Sequence, residues 1–231
     1  MEKVIAVLRR AEPDDQWCAR QRGPVAEALL ATGVPGLTVN VRDSAVRESL
    51  MTLTTLDPPV AAVVSLWTQQ CYAEQTAAAL RLLADECERF AAYLVTESVP
   101  LPAPLEQGSR TTGLANIALL RRPAELDQAT WLDRWQLNHT QVAIDTQSTF
   151  GYTQNWVVRA LTPDAPGIAG IVEELFPIEA VSDIKAFFGA ADDGDLQDRI
   201  GRMVASTTAF GANENIDTVP TSRYVFRHPF S

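Results

Sequence analysis

Apolar and polar positions fall into blocks along this chain, and the blocks come round twice. Residues 4–8 form an apolar run too short for a helix, closed by Arg9 and Arg10, which suits a buried strand. Residues 13–31 read as a helix, and Gly23-Pro24 inside it predicts a kink, because proline removes an i to i−4 bond and clashes with the preceding turn. Residues 37–42 alternate Leu, Val, Val with Thr, Asn, Arg, the period of a half-buried strand. Asp57-Pro58-Pro59 breaks the chain before a strand over 60–67. The alanine- and leucine-rich run 72–92 places Leu80, Leu83, Cys87 and Phe90 on one stripe and predicts a long helix, with a last strand over 93–99.

Pro100, Pro102, Pro104 and Gly108 then predict a stiff, exposed linker, after which the order repeats. Strands are expected over 116–120, 155–161, 168–175 and 223–227, and helices over 127–144, 178–190 and 193–207, with a loop over 208–222. Arg10 precedes Arg122 by 112 residues (122 − 10), and a tryptophan follows each arginine pair, Trp17 and Trp131. A period of that length means two copies of a whole unit. The expected division is 1–99, a linker 100–112, and 113–231. Each copy reads β-α-β-β-α-β, so the fold class is α+β, two tandem ferredoxin-like repeats. The bare face of each four-stranded sheet must be covered, by sheet packing on sheet or by closure into a shared barrel.

Composition narrows the chemistry. With 46% hydrophobic and 21% charged residues, the 231-residue chain can build a real core. A net charge of −10 repels phosphate backbones, which argues against a nucleic-acid partner. Three cysteines, Cys18, Cys71 and Cys87, in no CxxC spacing argue against a disulfide framework or a zinc site. Each falls where a helix is expected, as a small buried hydrophobe, and all three are expected to be reduced in a cytoplasmic setting. No run approaches the roughly 18 to 20 apolar residues of a membrane span. Dinucleotide, P-loop, nucleophile-elbow and HExxH signatures are absent, and two histidines are too few for a His-rich metal site.

The most readable chemistry lies over 117–161. Asp127 is a plausible N-cap for a helix on which Trp131, Trp135 and His139 sit four residues apart, climbing one face toward the sheet. An imidazole on an aromatic face can act as a general acid or base; the alternative is a core histidine bonded to a backbone carbonyl. Trp131 and Trp135 are either a stacking wall for a ligand or simply core. Tyr152 and Asn155, beside the Gly151 turn, can donate to a ligand oxygen or serve local loop structure. Arg122 can hold an anion or bridge to surface acids.

The segments Leu119-Leu120-Arg121-Arg122-Pro123, Trp131-x-x-x-Trp135-x-x-x-His139 and Tyr152-x-x-Asn155, with the strand around 171–176, resemble the EthD-domain family of the dimeric α/β-barrel superfamily. The first copy shares only its layout and Val7-Leu8-Arg9-Arg10. The resemblance implies two fused repeats forming in one chain the barrel usually made by two, and it leaves open whether chains pair further into a homodimer. Matching Trp17 to Trp131 puts Val25 where His139 sits, so one functional half beside a structural half is expected. Three functions are carried forward. One is a lyase, cyclase or isomerase needing no cofactor, acting on an apolar carbonyl or polyketide-like compound, with His139 as proton shuttle. The others are a non-catalytic binding protein for a small hydrophobic or aromatic ligand, and a monooxygenase of the same superfamily.

Overall fold

Eight strands close into one antiparallel barrel, in the order β1-β3-β2-β8-β5-β7-β6-β4, in a computed structural model that describes residues 1–104 and 106–230. The first repeat supplies β1 (Glu2–Arg9), β2 (Gly36–Val41), β3 (Val60–Thr68) and β4 (Arg89–Leu101). The second supplies β5 (Leu114–Leu120), β6 (Gly151–Ala160), β7 (Gly170–Phe176) and β8 (Asp217–Arg227). The two runs, β4-β1-β3-β2 and β8-β5-β7-β6, have the same internal order. They join where β2 pairs with β8 and β4 with β6. Closure leaves no free sheet edge and covers the bare faces by turning them inward.

Helices wrap the outside. Asp14 caps α1 (Asp15–Arg20), which runs through a wide turn at Gln21–Val25 into α2 (Ala26–Ala31). Gly23 there leaves helical geometry beside Pro24, the kink the sequence predicts. Next comes α3 (Glu74–Ala84). In the second repeat Asp127 caps α4 (Gln128–Leu132), which continues through a π-helical stretch, Asp133–His139, into α5 (Thr140–Thr146). A 3-10 turn at Ile178–Val181 then precedes α6 (Ile184–Phe188) and α7 (Asp193–Phe210). No helix of the described residues is long and apolar enough to cross a membrane.

Several expected boundaries shift. The long helix over 72–92 ends at Ala84, and Arg89 to Ala92 instead pair with Arg9 to Ala6 of β1. Strand pairing there overrides the helical preference of an alanine-rich segment. That moves Cys87 off the helix and Phe90 into β4, while Cys71 lies in a turn; only Cys18 is helical, and all three thiols are free. All six residues of β2 are buried, because the barrel interior hides the polar face that alternation assigned to solvent. The expected linker begins inside β4, and Gly108 and Thr111 donate backbone bonds to Val225 and Arg223 of β8, so this segment is tied down. Strand β8 starts at Asp217, well within the expected loop. It pairs first with β5 and then with β2, forming the seam between repeats.

A candidate active site between sheet and helices

Strand alternation fixes which side chains meet. On β5, β7 and β6, positions Asn116, Glu174 and Tyr152 lie directly across from one another. They face outward, toward the helices, with Ala118, Leu120 and Val172. Above them runs the helix from Gln128 to Thr146, with α7 beside it. Residues four apart on an α-helix drift by about 40° per step. The wider turn of Asp133–His139 offsets that drift, so Trp131, Trp135 and His139 are all buried. Gly170 makes room for the tryptophans, since a Cβ there would lie 2.6 Å from Trp135 and 3.2 Å from Trp131.

Sheet and helices enclose a cavity of about 280 Å³. Trp135, His139 and Tyr152 line it, and Asn116, Gln147, Glu174 and Thr218 add the polar groups. Trp131 lies one layer back, 4.9 Å from the Trp135 ring and 6.5 Å from Phe210. Met51 and Leu53 come from the β2–β3 connection of the first repeat. That connection is held across the rim by Asp217, which accepts from Thr55 N at 2.6 Å and Leu56 N at 3.1 Å and pairs with Arg121 at 2.7 Å. Burial pushes the Asp217 carboxyl up, but the bonds from Thr55 and Arg121 outweigh it and hold the pKa below the usual value.

Two titratable groups here are shifted in opposite directions. Burial with no charged partner pushes the His139 imidazole down to about 4, so the ring is neutral near pH 7. Its Nδ1 lies 2.9 Å from Ser206 Oγ, and its ring packs 4.8 Å from Phe210, so the partner is a hydroxyl and not the backbone carbonyl considered above. Burial pushes the Glu174 carboxyl up to about 7, against the opposing bond from Asn116. Gln147, with its amide nitrogen turned inward, donates to Glu174 Oε1 at 3.1 Å. Asn116 is nearly fully buried, and its Oδ1 has no hydrogen-bond partner. Burial also raises the Tyr152 hydroxyl, with the neighbouring Glu174 adding to the shift. A carboxyl poised near neutrality beside hydrogen-bonding groups in an apolar cavity can take a proton from a weak carbon acid and return it.

Two residues expected at the site lie elsewhere. Asn155 sits one position out of phase with Tyr152, so it points into the barrel, donating to Ile171 O at 3.1 Å and Glu173 Oε1 at 3.0 Å. Arg122 is exposed beyond the end of β5 and donates to Leu126 O. Glu174 was the group missed. Its signal was present as adjacent acids, Glu173-Glu174, in the otherwise apolar strand GIVEELF. Consecutive strand residues face opposite sides, so two neighbouring charges put one into each buried space, where each must have a partner or a task. Among the described residues no group of three or more His, Cys, Asp or Glu is placed to hold a metal ion.

The register also explains why the first repeat has no equivalent site. Val4 takes the place of Asn116, its β3 partner Leu66 that of Glu174, and Leu37 of β2 that of Tyr152. With Val25 for His139, the polar set becomes four aliphatic side chains buried in one core cluster.

No protein-family model matches the sequence, and no curated protein is similar to it. Among solved structures the chain is similar to an anthrone oxidase-like protein at 9% identity and TM-score 0.53, covering 99% of this chain and 94% of that one. It is also similar to a candidate monooxygenase from Fusobacterium nucleatum at 11% identity and TM-score 0.50, covering 98% and 92%. At such identities the likeness speaks for the fold. Fold and topology define the class: a dimeric α/β barrel of ferredoxin-like repeats, made here by a single chain.

Proposed function

We propose that the protein binds a small, largely apolar carbonyl compound in the cavity of its second repeat and moves a proton on it. Glu174 is the general acid/base in this reading, and His139 and Tyr152 are the neutral hydrogen-bonding groups that orient the ligand oxygen. The observation that carries it is one buried carboxyl with no ion-pair partner among the described residues, facing a cavity walled in by Trp135, Val172 and Phe210, where burial pushes it up to about 7. As a carboxylate, Glu174 takes a proton from a carbon next to the carbonyl or conjugated with it through an unsaturated ring. The C–H bonding pair then forms the enolate double bond, and the carbonyl pair moves onto oxygen. Return of the proton to another position completes an isomerisation, and loss of a β-hydroxyl as water completes a dehydration. In this reading His139, which burial pushes down to about 4, is neutral at pH 7 and serves as a hydrogen-bonding group, with Glu174 in the place of the proton shuttle. A cavity of about 280 Å³ falls just under the usual span of small-molecule sites, roughly 300 to 1,000 Å³, which favours a small ligand. The finer kinship with EthD proteins rests on sequence motifs alone: Leu119 to Pro123, the Trp/His helix, Tyr152-x-x-Asn155 and the strand around 171–176.

The test uses anthrone, an apolar ketone with an acidic methylene, in deuterated buffer, with exchange at that carbon followed by NMR. Wild-type protein should accelerate exchange. Glu174→Gln should remove about a hundred- to ten-thousandfold of the acceleration, as expected for a general base. Saturable anthrone binding without accelerated exchange would favour a non-catalytic binding protein. An enolate that consumes dioxygen would move the reading to the oxygenase class, and an oxygen electrode in the same assay detects that.

A further inference from the structure

One amide on the wall of the helix-side cavity has more polar ends than its neighbours can meet. Asn116 lines the cavity and is 3% exposed, and its Oδ1 has no hydrogen-bond partner. Its cross-strand neighbours are Glu174 on β7 and Pro220 on β8. Side chains at such paired positions stand about 5 Å apart, so these two are the first groups the amide can reach. Glu174 takes a hydrogen bond from the amide, and the proline ring has no donor to give. Two other donors of the cavity are spent elsewhere. The inward-turned Gln147 amide gives its hydrogens to Ala143 O and Glu174 Oε1, and Thr218 gives its hydroxyl proton to Met51 O. When Glu174 is protonated the Asn116 amide can turn and accept from it, but the nitrogen is then the end left unmet.

The fold does not require an amide at this place. Val4 holds the matching position of β1, paired with Leu66 and Leu94, and is fully buried. A buried polar end without a partner destabilises the empty protein, so the asparagine calls for a group that arrives with the ligand.

We propose that Asn116 is a specificity-determining residue, and that the carbonyl compound taken by this cavity carries a hydroxyl group that bonds to the free end of the Asn116 amide. This rests on the reading of the cavity as the ligand site, and it narrows the ligand from any small apolar ketone to a hydroxylated one. A hydroxyl both donates and accepts, so it meets the amide in either orientation. It is also neutral, whereas an anionic group beside Glu174 would meet a like charge. Asn116 lies one strand to one side of Glu174 and Tyr152 one strand to the other, so the hydroxyl and the carbonyl of the ligand flank the carboxyl.

The test compares 2-tetralone, a bicyclic ketone with an acidic methylene, with its monohydroxy derivatives, substituted at each free position of the aromatic ring. Calorimetric titration of the full chain is run above pH 7, where Glu174 is ionised and holds the amide nitrogen. One hydroxy derivative should bind on the order of tenfold tighter than 2-tetralone, the worth of one net hydrogen bond to a buried group. Its methyl ether, which keeps the oxygen but not the donor, should lose that gain. In Asn116→Val the ratio between the hydroxy derivative and 2-tetralone should fall to about one. If Asn116→Val does not fold, the comparison of phenol, ether and parent ketone on wild type still decides. A wild type that binds no hydroxy derivative better than 2-tetralone, an ether as tight as its phenol, or a preference that survives in Asn116→Val would each overturn the proposal. Deuterium exchange without the hydroxyl preference would sink this proposal and leave the proton transfer at Glu174 standing; the preference without exchange would do the reverse. Absence of saturable binding by every one of these ketones would overturn both.

Discussion

At the scale of single residues, Glu174 and His139 share one cavity, and burial opposes the charged form of each. The consequences for stability have opposite signs. The folded pKa of Glu174, about 7, stands above its unfolded value of 4.5. Its contribution is therefore present at low pH and is lost as pH rises from the ordinary carboxylate range through 7. The folded pKa of His139, about 4, stands below its unfolded value of 6.5, so its contribution is present above 6.5 and is lost as pH falls to 4. In the window they share, the two slopes offset one another. Glu174→Gln should leave a stability that climbs with pH there, and His139→Gln one that declines. Urea unfolding across that window measures both, and slopes of the same sign would contradict the assignment. His139 was legible in the sequence because a lone ring on a tryptophan face stands out. Glu174 was not, because the acids of a strand reveal their separate faces only when the partners of that strand are known.

At the scale of elements, the helix of Trp131 to His139 is positioned by a glycine on the strand below. Gly170→Ala should clash with Trp135, displace the helix, and cost about 1 to 3 kcal/mol of stability. Altered near-ultraviolet circular dichroism from the tryptophans, together with a lower denaturation midpoint, checks this; an unchanged spectrum and midpoint would show that the packing is looser than described. Short apolar strands and proline or glycine breaks could be read directly, since they depend on local chemistry. The end of α3 could not. The residues that begin β4 have helical composition, and only their pairing with β1, some 80 positions earlier in the chain, makes them a strand.

At the scale of the whole molecule, the two halves share one strand order, and the proposed site lies in the second alone. The repeat was legible from the recurring strand-Arg-Arg signature, and barrel closure stood as one of two ways to cover the sheets. The strap across the cavity was not legible, because the β2–β3 connection binds Asp217 from the other half of the chain. Val25→Ala, at the counterpart of His139, should cost only stability, about a kcal/mol or two, with anthrone exchange per folded molecule unchanged. Equal losses of exchange from Val25→Ala and His139→Ala would mean that both halves carry the chemistry.

The proposed function turns on one carboxyl in the helix-side cavity, poised to exchange a proton near neutrality. Carbon-detected NMR of glutamate carboxyls, with pH raised from about 4 to 9, reads it without a substrate. One resonance should titrate with a midpoint of about 7 and vanish in Glu174→Gln. A wild-type spectrum in which every glutamate has finished titrating in the ordinary carboxylate range would contradict the account.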